Sequence, residues 1–139
     1  MGKLSIIDRI GVACTFDIRM TKNQFADIWD FEVYSIPRRA DNDFFPMSLE
    51  LQSNGTLKII AIGGNVMGVS TWPEYSAKGI PMALLAYAHA QLNRDIVSSP
   101  TSGGAGIWRT AKATAMWERM RATGNASYDQ VTDIYTFIP

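Results

Sequence analysis

Residues 47–52 (MSLELQ) and 56–62 (TLKIIAI) flank the turn triplet Ser53-Asn54-Gly55. The first run alternates apolar and polar residues, and a period of two sends successive side chains to opposite faces of a sheet. The second is apolar and rich in isoleucine, as strands are. So short a turn leaves no room for a crossover, so the two strands must be antiparallel neighbours. Gly63-Gly64-Asn65 repeats the turn chemistry, and residues 66–72 (VMGVSTW) read as a third strand of an antiparallel meander.

Upstream, residues 15–21 (TFDIRMT) alternate and predict a strand. Thr21 and Gln24 then have capping-box spacing, with Phe25, Ile28 and Trp29 on one helical face and Pro37 as a stop. A helix is expected there, followed by a polar loop, RRADNDFF. Downstream of the meander, Pro81 suits a first helical position, where its missing N–H costs no intrahelical bond. The helix it opens places Met82, Leu85, His89 and Leu92 on one face, with Leu84 and Ala88 beside them. DIVSSP is a short strand and TSGGAG a loop. A second helix carries Ala113, Met116, Trp117 and Met120 on one face, with Gly124 just past its end. DIYTFIP is a closing strand. Strand, helix, meander, helix, strand, helix, strand is the order of an α/β protein with a mixed sheet and packed helices. DIVSSP is expected to run parallel to VMGVSTW, because a helix-length crossover suits parallel neighbours.

The chain's 139 residues make one domain, 1–139, with enough apolar content (47%) for a real core. No apolar run approaches the roughly 20 residues of a membrane span. Asp8 and Arg9 interrupt the N-terminal apolar stretch, which argues against a signal peptide, and Ile6 stands where a myristoylation pattern needs Ser or Thr. One cysteine, Cys14, excludes an internal disulfide and a cysteine zinc site. A cytoplasmic protein is expected. Thirteen basic and 13 acidic residues cancel, which argues against a dedicated nucleic-acid binder. Between Lys78 and Arg121, however, six basic residues face two acidic ones. That excess reads either as a solvated surface or as a hold for an anionic small molecule. His89, the sole histidine, reads as a general base or, more simply, as a core-edge residue bonded to a carbonyl. No metal site is expected around it.

Two stretches carry a family resemblance. EYSAKGIPMALL resembles the coenzyme A segment of the GNAT acyltransferase superfamily, Gln/Arg-x-x-Gly-x-Gly/Ala. ATAMWERMRATGNA resembles its later helix, Ala-x-x-Leu-Tyr followed by Gly, at Ala113, Met116, Trp117 and Gly124. The resemblance runs from about residue 47 to the end and is closest to short, phage-type members. It implies a GNAT-like sheet, acetyl-coenzyme A as acyl donor, and an amine acceptor that is a small molecule or a protein. In that family the strand before the cradle splays from its neighbour, and the pantetheine arm inserts there. The matching positions are Val69, Ser70 and Thr71. Ser76, Ala77, Lys78, Gly79, Ile80 and Met82 would form the pyrophosphate cradle, where amides at a helix N-terminus meet the anion.

The departures are specific. Ser76 replaces the Gln/Arg position, and Pro81 replaces the final Gly/Ala and offers no amide. Trp117 stands where a tyrosine often protonates the departing thiolate, which an indole cannot do. VMGVSTW has no carboxylate, so Glu74 and Glu50 are the nearest general bases. Ser98 and Ser99 end a strand near the implied acyl site, where a hydroxyl could bond the acyl carbonyl or the thiolate; otherwise they cap a loop. Trp108 is the tryptophan best placed for an exposed contact. The implied activity is an acyl-coenzyme A-dependent N-acyltransferase. The alternative is a catalytically inactive, phage-encoded binding or assembly module on the same fold, with no cofactor and with a homodimer or larger assembly open to it.

Overall fold

The computed structural model of the chain describes residues 2–8, 10–36, 44–63, 79–101 and 109–139. Five antiparallel strands come first: β1 (Gly2–Ile7), β2 (Ala13–Lys22), β3 (Ile28–Tyr34), β4 (Phe45–Leu51) and β5 (Leu57–Ile62). Helix α1 (Ile80–Leu92), strand β6 (Ile96–Val97), helix α2 (Ala111–Ala122) and the hairpin β7 (Ala126–Asp129) and β8 (Ile134–Phe137) complete the chain. One mixed sheet has the order β1-β2-β3-β4-β5-β6-β8-β7. The α/β class expected from the sequence is the one observed.

The expected helix after Thr21 is instead β3. Thr21 lies in β2 opposite Asp30, and the intervening turn is closed by the Asn23 carboxamide accepting the Phe25 N–H at 2.8 Å. Phe25, expected on a buried helical face, is 89% exposed. The segment IWDFEVY carries both periods, and its neighbours decide between them. Phe31 and Val33 point into the core, while Asp30 and Glu32 point outward. There Asp30 accepts from Ser48 at 2.5 Å, and Glu32 pairs with Arg19 at 3.5 Å. A helix would have buried one of those carboxylates.

The same alternation runs through the meander. Phe16, Ile18, Met47, Leu49 and Leu57 line one face, and Asp17, Arg19, Ser48 and Lys58 occupy the other. Helix α1 covers the apolar face. Tyr87 meets Phe31 edge-on, with ring centroids 6.5 Å apart, and its hydroxyl lies 3.0 Å from where a Cβ on Gly2 would stand. Two residues on, His89 meets Phe137 of β8. Residues only two apart on α1 thus touch β1 and β8, so the sheet must curl to bring these distant strands to one helix. Ile80, Leu84, Leu85 and Ala88 are its buried residues; Met82, expected on that face, is 42% exposed.

Helix α2 follows its expected course. Thr110 caps it by accepting the Ala113 N–H at 3.1 Å. Its end is a Schellman motif: Asn125 N–H bonds Met120 O at 2.8 Å and Gly124 N–H bonds Arg121 O at 3.1 Å. Gly124 supplies the φ of +83° that this ending needs. DIVSSP joins the sheet as expected, but its parallel partner is β5. The stretch 66–72, expected as that partner and as a meander strand, lies outside the described residues. No helix among the described residues is long and apolar enough to cross a membrane.

Candidate functional site

Strands β5 and β6 run side by side only at Leu57–Ile96 and Lys58–Val97. The Ser99 hydroxyl then reaches across to donate to Ile59 O at 3.0 Å. Past this point, where β6 ends, no β5–β6 pairing continues, and β5 is itself irregular there against β4. Leu49 faces Ile59 but Ser48 faces Ala61, so Ile60 is an extra residue, a β-bulge. A bulge bends its strand and increases the local twist. Past it, Gly63 N–H donates to Pro46 O at 2.8 Å. Antiparallel alternation therefore makes Met47–Ile62 a non-hydrogen-bonded pair, with the Ile62 peptide groups turned away from β4. A cleft of about 210 Å³ results, walled by residues 59–62 on one side and by Ser98, Ser99, Arg109, Ala113 and Trp117 on the other.

Arg109 organises the second wall. It is 8% exposed and directly precedes the Thr110 cap of α2. Its Nε–H donates to Thr114 Oγ1 at 2.8 Å. Nη1 donates to Ser98 Oγ at 3.3 Å, Ser99 O at 3.0 Å and Asp133 O at 2.9 Å. Nη2 pairs with Asp133 Oδ1 at 2.7 Å, and the guanidinium lies 4.7 Å over the Tyr135 ring. Asp133, at the positive φ of 58° that aspartate tolerates better than most residues, also accepts from the Thr101 backbone N–H, the Thr101 hydroxyl and the Tyr128 hydroxyl. The Thr101 bonds, then those of Arg109 and Tyr128, hold its carboxyl well below the usual carboxylate range. Burial, with a hydrogen bond to Glu118, pushes the Tyr135 phenol up to about 12.

A depressed carboxyl pKa stabilises the folded state above the unfolded value of about 3.9, because the unfolded chain takes up the proton first as pH falls. Wild-type stability should therefore decline as acid passes below about pH 5. Asp133→Asn should be less stable at pH 7 yet show a shallower decline over that window. Denaturant melts at a series of pH values read this directly, and an unchanged slope in the variant would refute it.

Of the residues expected in a site, the structure brings Ser98 into the cleft, with Ser99 and Trp117. Val69, Ser70, Thr71, Glu74, Ser76, Ala77, Lys78 and Trp108 lie outside the described residues. Gly79, Ile80 and Met82 form the start of α1, which has no side-chain cap and carries Pro81 in its first turn. Ala83 N–H already bonds Gly79 O, leaving the Ile80 and Met82 amides as uncapped helix-start donors. Gly79 has φ +74°, so a side chain there strains the backbone by roughly 1–2 kcal/mol even though a Cβ would meet only Ile6 Cγ2, at an ordinary contact distance of 3.5 Å. Glu50 sits on β4 opposite Lys58 and bonds Gln52, away from the cleft. His89 lies with Nδ1 3.0 Å from Arg94 O, the core-edge arrangement. The basic excess of the second half is drawn down in the fold: Arg109 pairs with Asp133, Arg121 with Glu118, and Arg94 donates to Gly55 O.

Sequence reasoning missed Asp133, Tyr128, Tyr135 and the bulge at Ile60. Arg109 and Asp133 are 24 residues apart with no shared periodicity. The only local signal was the turn chemistry of Asp129, whose carboxylate accepts from Val131 N–H at 2.9 Å. Compared with models of known protein families and with curated proteins, the sequence matches none.

Proposed function

We propose that the chain is an acyl-coenzyme A-dependent N-acyltransferase of GNAT type that acts on an amine acceptor in the cytoplasm. The observation that carries this reading is the cleft where the pairing of parallel β5 and β6 ends, with α1 beginning between them in sequence. A cleft between strands followed by a helix start is what the GNAT resemblance implies for a thioester with a long pantetheine arm. At about 30 Å³ per water-sized atom, the cleft has room for roughly seven such atoms. That suits an acyl thioester head. The bound donor supplies an activated acyl carbon. The chain's own part is to hold that group against Ser98 and to keep water out with Ile60, Ala113 and Trp117. Positioning of this kind can contribute about 7–11 kcal/mol to a barrier without an acid or base. Glu74 remains the proposed base.

One observation favours the second reading, an inactive module of the same fold. Trp117 is 1% exposed and stacked on Tyr135 at 5.6 Å, and no carboxylate lines the cleft among the described residues. Calorimetric titration with acetyl-coenzyme A separates the two. Micromolar binding is expected, and Pro81→Ala, which restores an amide in the first turn, should tighten it by about one charge-assisted bond, roughly 1.5–3 kcal/mol. The same change should cost the free protein about 0.4–1 kcal/mol, because proline restricts the unfolded chain. Absence of binding by both proteins at millimolar ligand would leave the module.

A further inference from the structure

We propose that Ser98 is a preset hydrogen-bond donor for an uncharged carbonyl oxygen, aimed into the β5–β6 cleft by Arg109 and by the backbone of β8. The inference deepens the reading above and rests on the cleft being the acyl site. A serine hydroxyl has one hydrogen and two lone pairs. Both lone pairs of Ser98 are engaged: Tyr135 N–H donates to Oγ at 2.9 Å and Arg109 Nη1–H at 3.3 Å. The hydrogen meets no acceptor among the described residues. Ser98 is 1% exposed, and a buried donor left without a partner costs free energy unless something fills its place. Its neighbour shows the contrast, because Ser99 spends its own hydrogen on Ile59 O. Ser98 lines the cleft, so a ligand seated there is where its hydrogen would find an acceptor.

The charge on that wall decides the ligand class. Among the described residues Arg109 is the cation that lines the cleft, and the Asp133 carboxylate at 2.7 Å cancels it. The other wall, among the described residues, is 59–62, all apolar. A carboxylate or phosphate would be desolvated there without a net counter-charge, which is expensive. A thioester or amide carbonyl needs only the one donor. Ser98 would thus bond the acyl carbonyl, and not the departing thiolate. Arg109 is a positioning residue that acts through the hydroxyl.

The test uses small probes on the full chain, read by amide resonance shifts of Ser98 and Tyr135. S-methyl thioacetate carries the carbonyl, methyl ethyl sulfide lacks it, and acetate carries a charge. Wild type should prefer the thioester to the sulfide by roughly tenfold, the worth of one net hydrogen bond. It should bind acetate no better than the sulfide. Ser98→Ala should lose the preference and Ser98→Thr should keep it. Should the alanine variant fail to fold, Ser98→Cys, a weak donor, takes its place. Equal binding of thioester and sulfide by wild type, tighter binding of acetate, or a preference that survives in Ser98→Ala would each overturn the proposal. Thioester preference without binding of acetyl-coenzyme A would keep the donor site and remove the acyltransferase reading. Acetyl-coenzyme A bound no better than S-ethyl-coenzyme A would do the reverse.

Discussion

Arg109→Leu is expected to destabilise the protein by about 3–5 kcal/mol and to lower its melting temperature by on the order of 10 °C. The leucine fills much of the same volume, so the loss comes from polar groups and little from a cavity. Five acceptors lose this donor at once: Thr114 Oγ1, Ser98 Oγ, Ser99 O, Asp133 O and Asp133 Oδ1, of which Ser98 Oγ keeps the Tyr135 N–H and Asp133 Oδ1 the Tyr128 hydroxyl. Each buried polar group left unpaired costs roughly 1–3 kcal/mol. Arg109→Lys should recover only a fraction, because an ammonium cannot reproduce the fork that serves Thr114, Ser98 and Asp133 together. The surface pair Lys3–Asp17 gives the contrast: its lysine is 63% exposed, and such pairs contribute roughly 0–1 kcal/mol. Thermal and denaturant melts of Arg109→Leu, Arg109→Lys and Lys3→Ala check the ranking. A loss of under about 1 kcal/mol in Arg109→Leu would show that the network is not holding β6, α2 and β8 together.

Trp117→Ala should cost a similar amount, about 3–5 kcal/mol, for a different reason. The indole is 1% exposed and stacked on Tyr135 with the planes 16° apart. Truncation forfeits its transfer energy, the ring contact and the packing around the space left behind. That space adjoins the cleft, since Trp117 lines it. The variant should therefore bind a bulkier acyl thioester relative to the acetyl form than wild type does. Melts give the first quantity, and paired titrations with acetyl- and hexanoyl-coenzyme A give the second. A large stability loss with unchanged chain-length preference would place the indole outside the acyl site.

Local signals were enough for the β4–β5 hairpin, for α1 beginning near Pro81, and for α2 with its Thr110 cap and Gly124 ending. Each is written within a few residues, because turns, caps and short-range periodicity need no distant partner. β1 went unread: its burial alternates over Lys3, Leu4, Ser5 and Ile6, but Ile7 puts an apolar residue on the outer face, 72% exposed, and blurs the pattern in so short a run. β3 was read as a helix because residues 25–29 satisfy helical spacing while residues 29–33 satisfy strand spacing. Only β2 and β4, flanking it on both sides, settle which period holds.

The site divides the same way. Ser98 was visible as a hydroxyl at the end of a short strand, and Trp117 as an apolar anchor of α2. What made them one site was decided by tertiary structure. The bulge at Ile60 exists only in the register of β4 against β5, and it falls where the pairing of β5 with β6 has ended. The Arg109–Asp133 pair joins residues that no local spacing relates. Whether the Ser98 hydrogen is spent or free depends on two donors that arrive from α2 and β8. The sequence by itself determined which segments could be strands or helices, because backbone preference and periodicity act over a few residues. Only tertiary structure decided where the cleft opens and which charge it presents, because register and ion pairing are set between segments far apart in the chain.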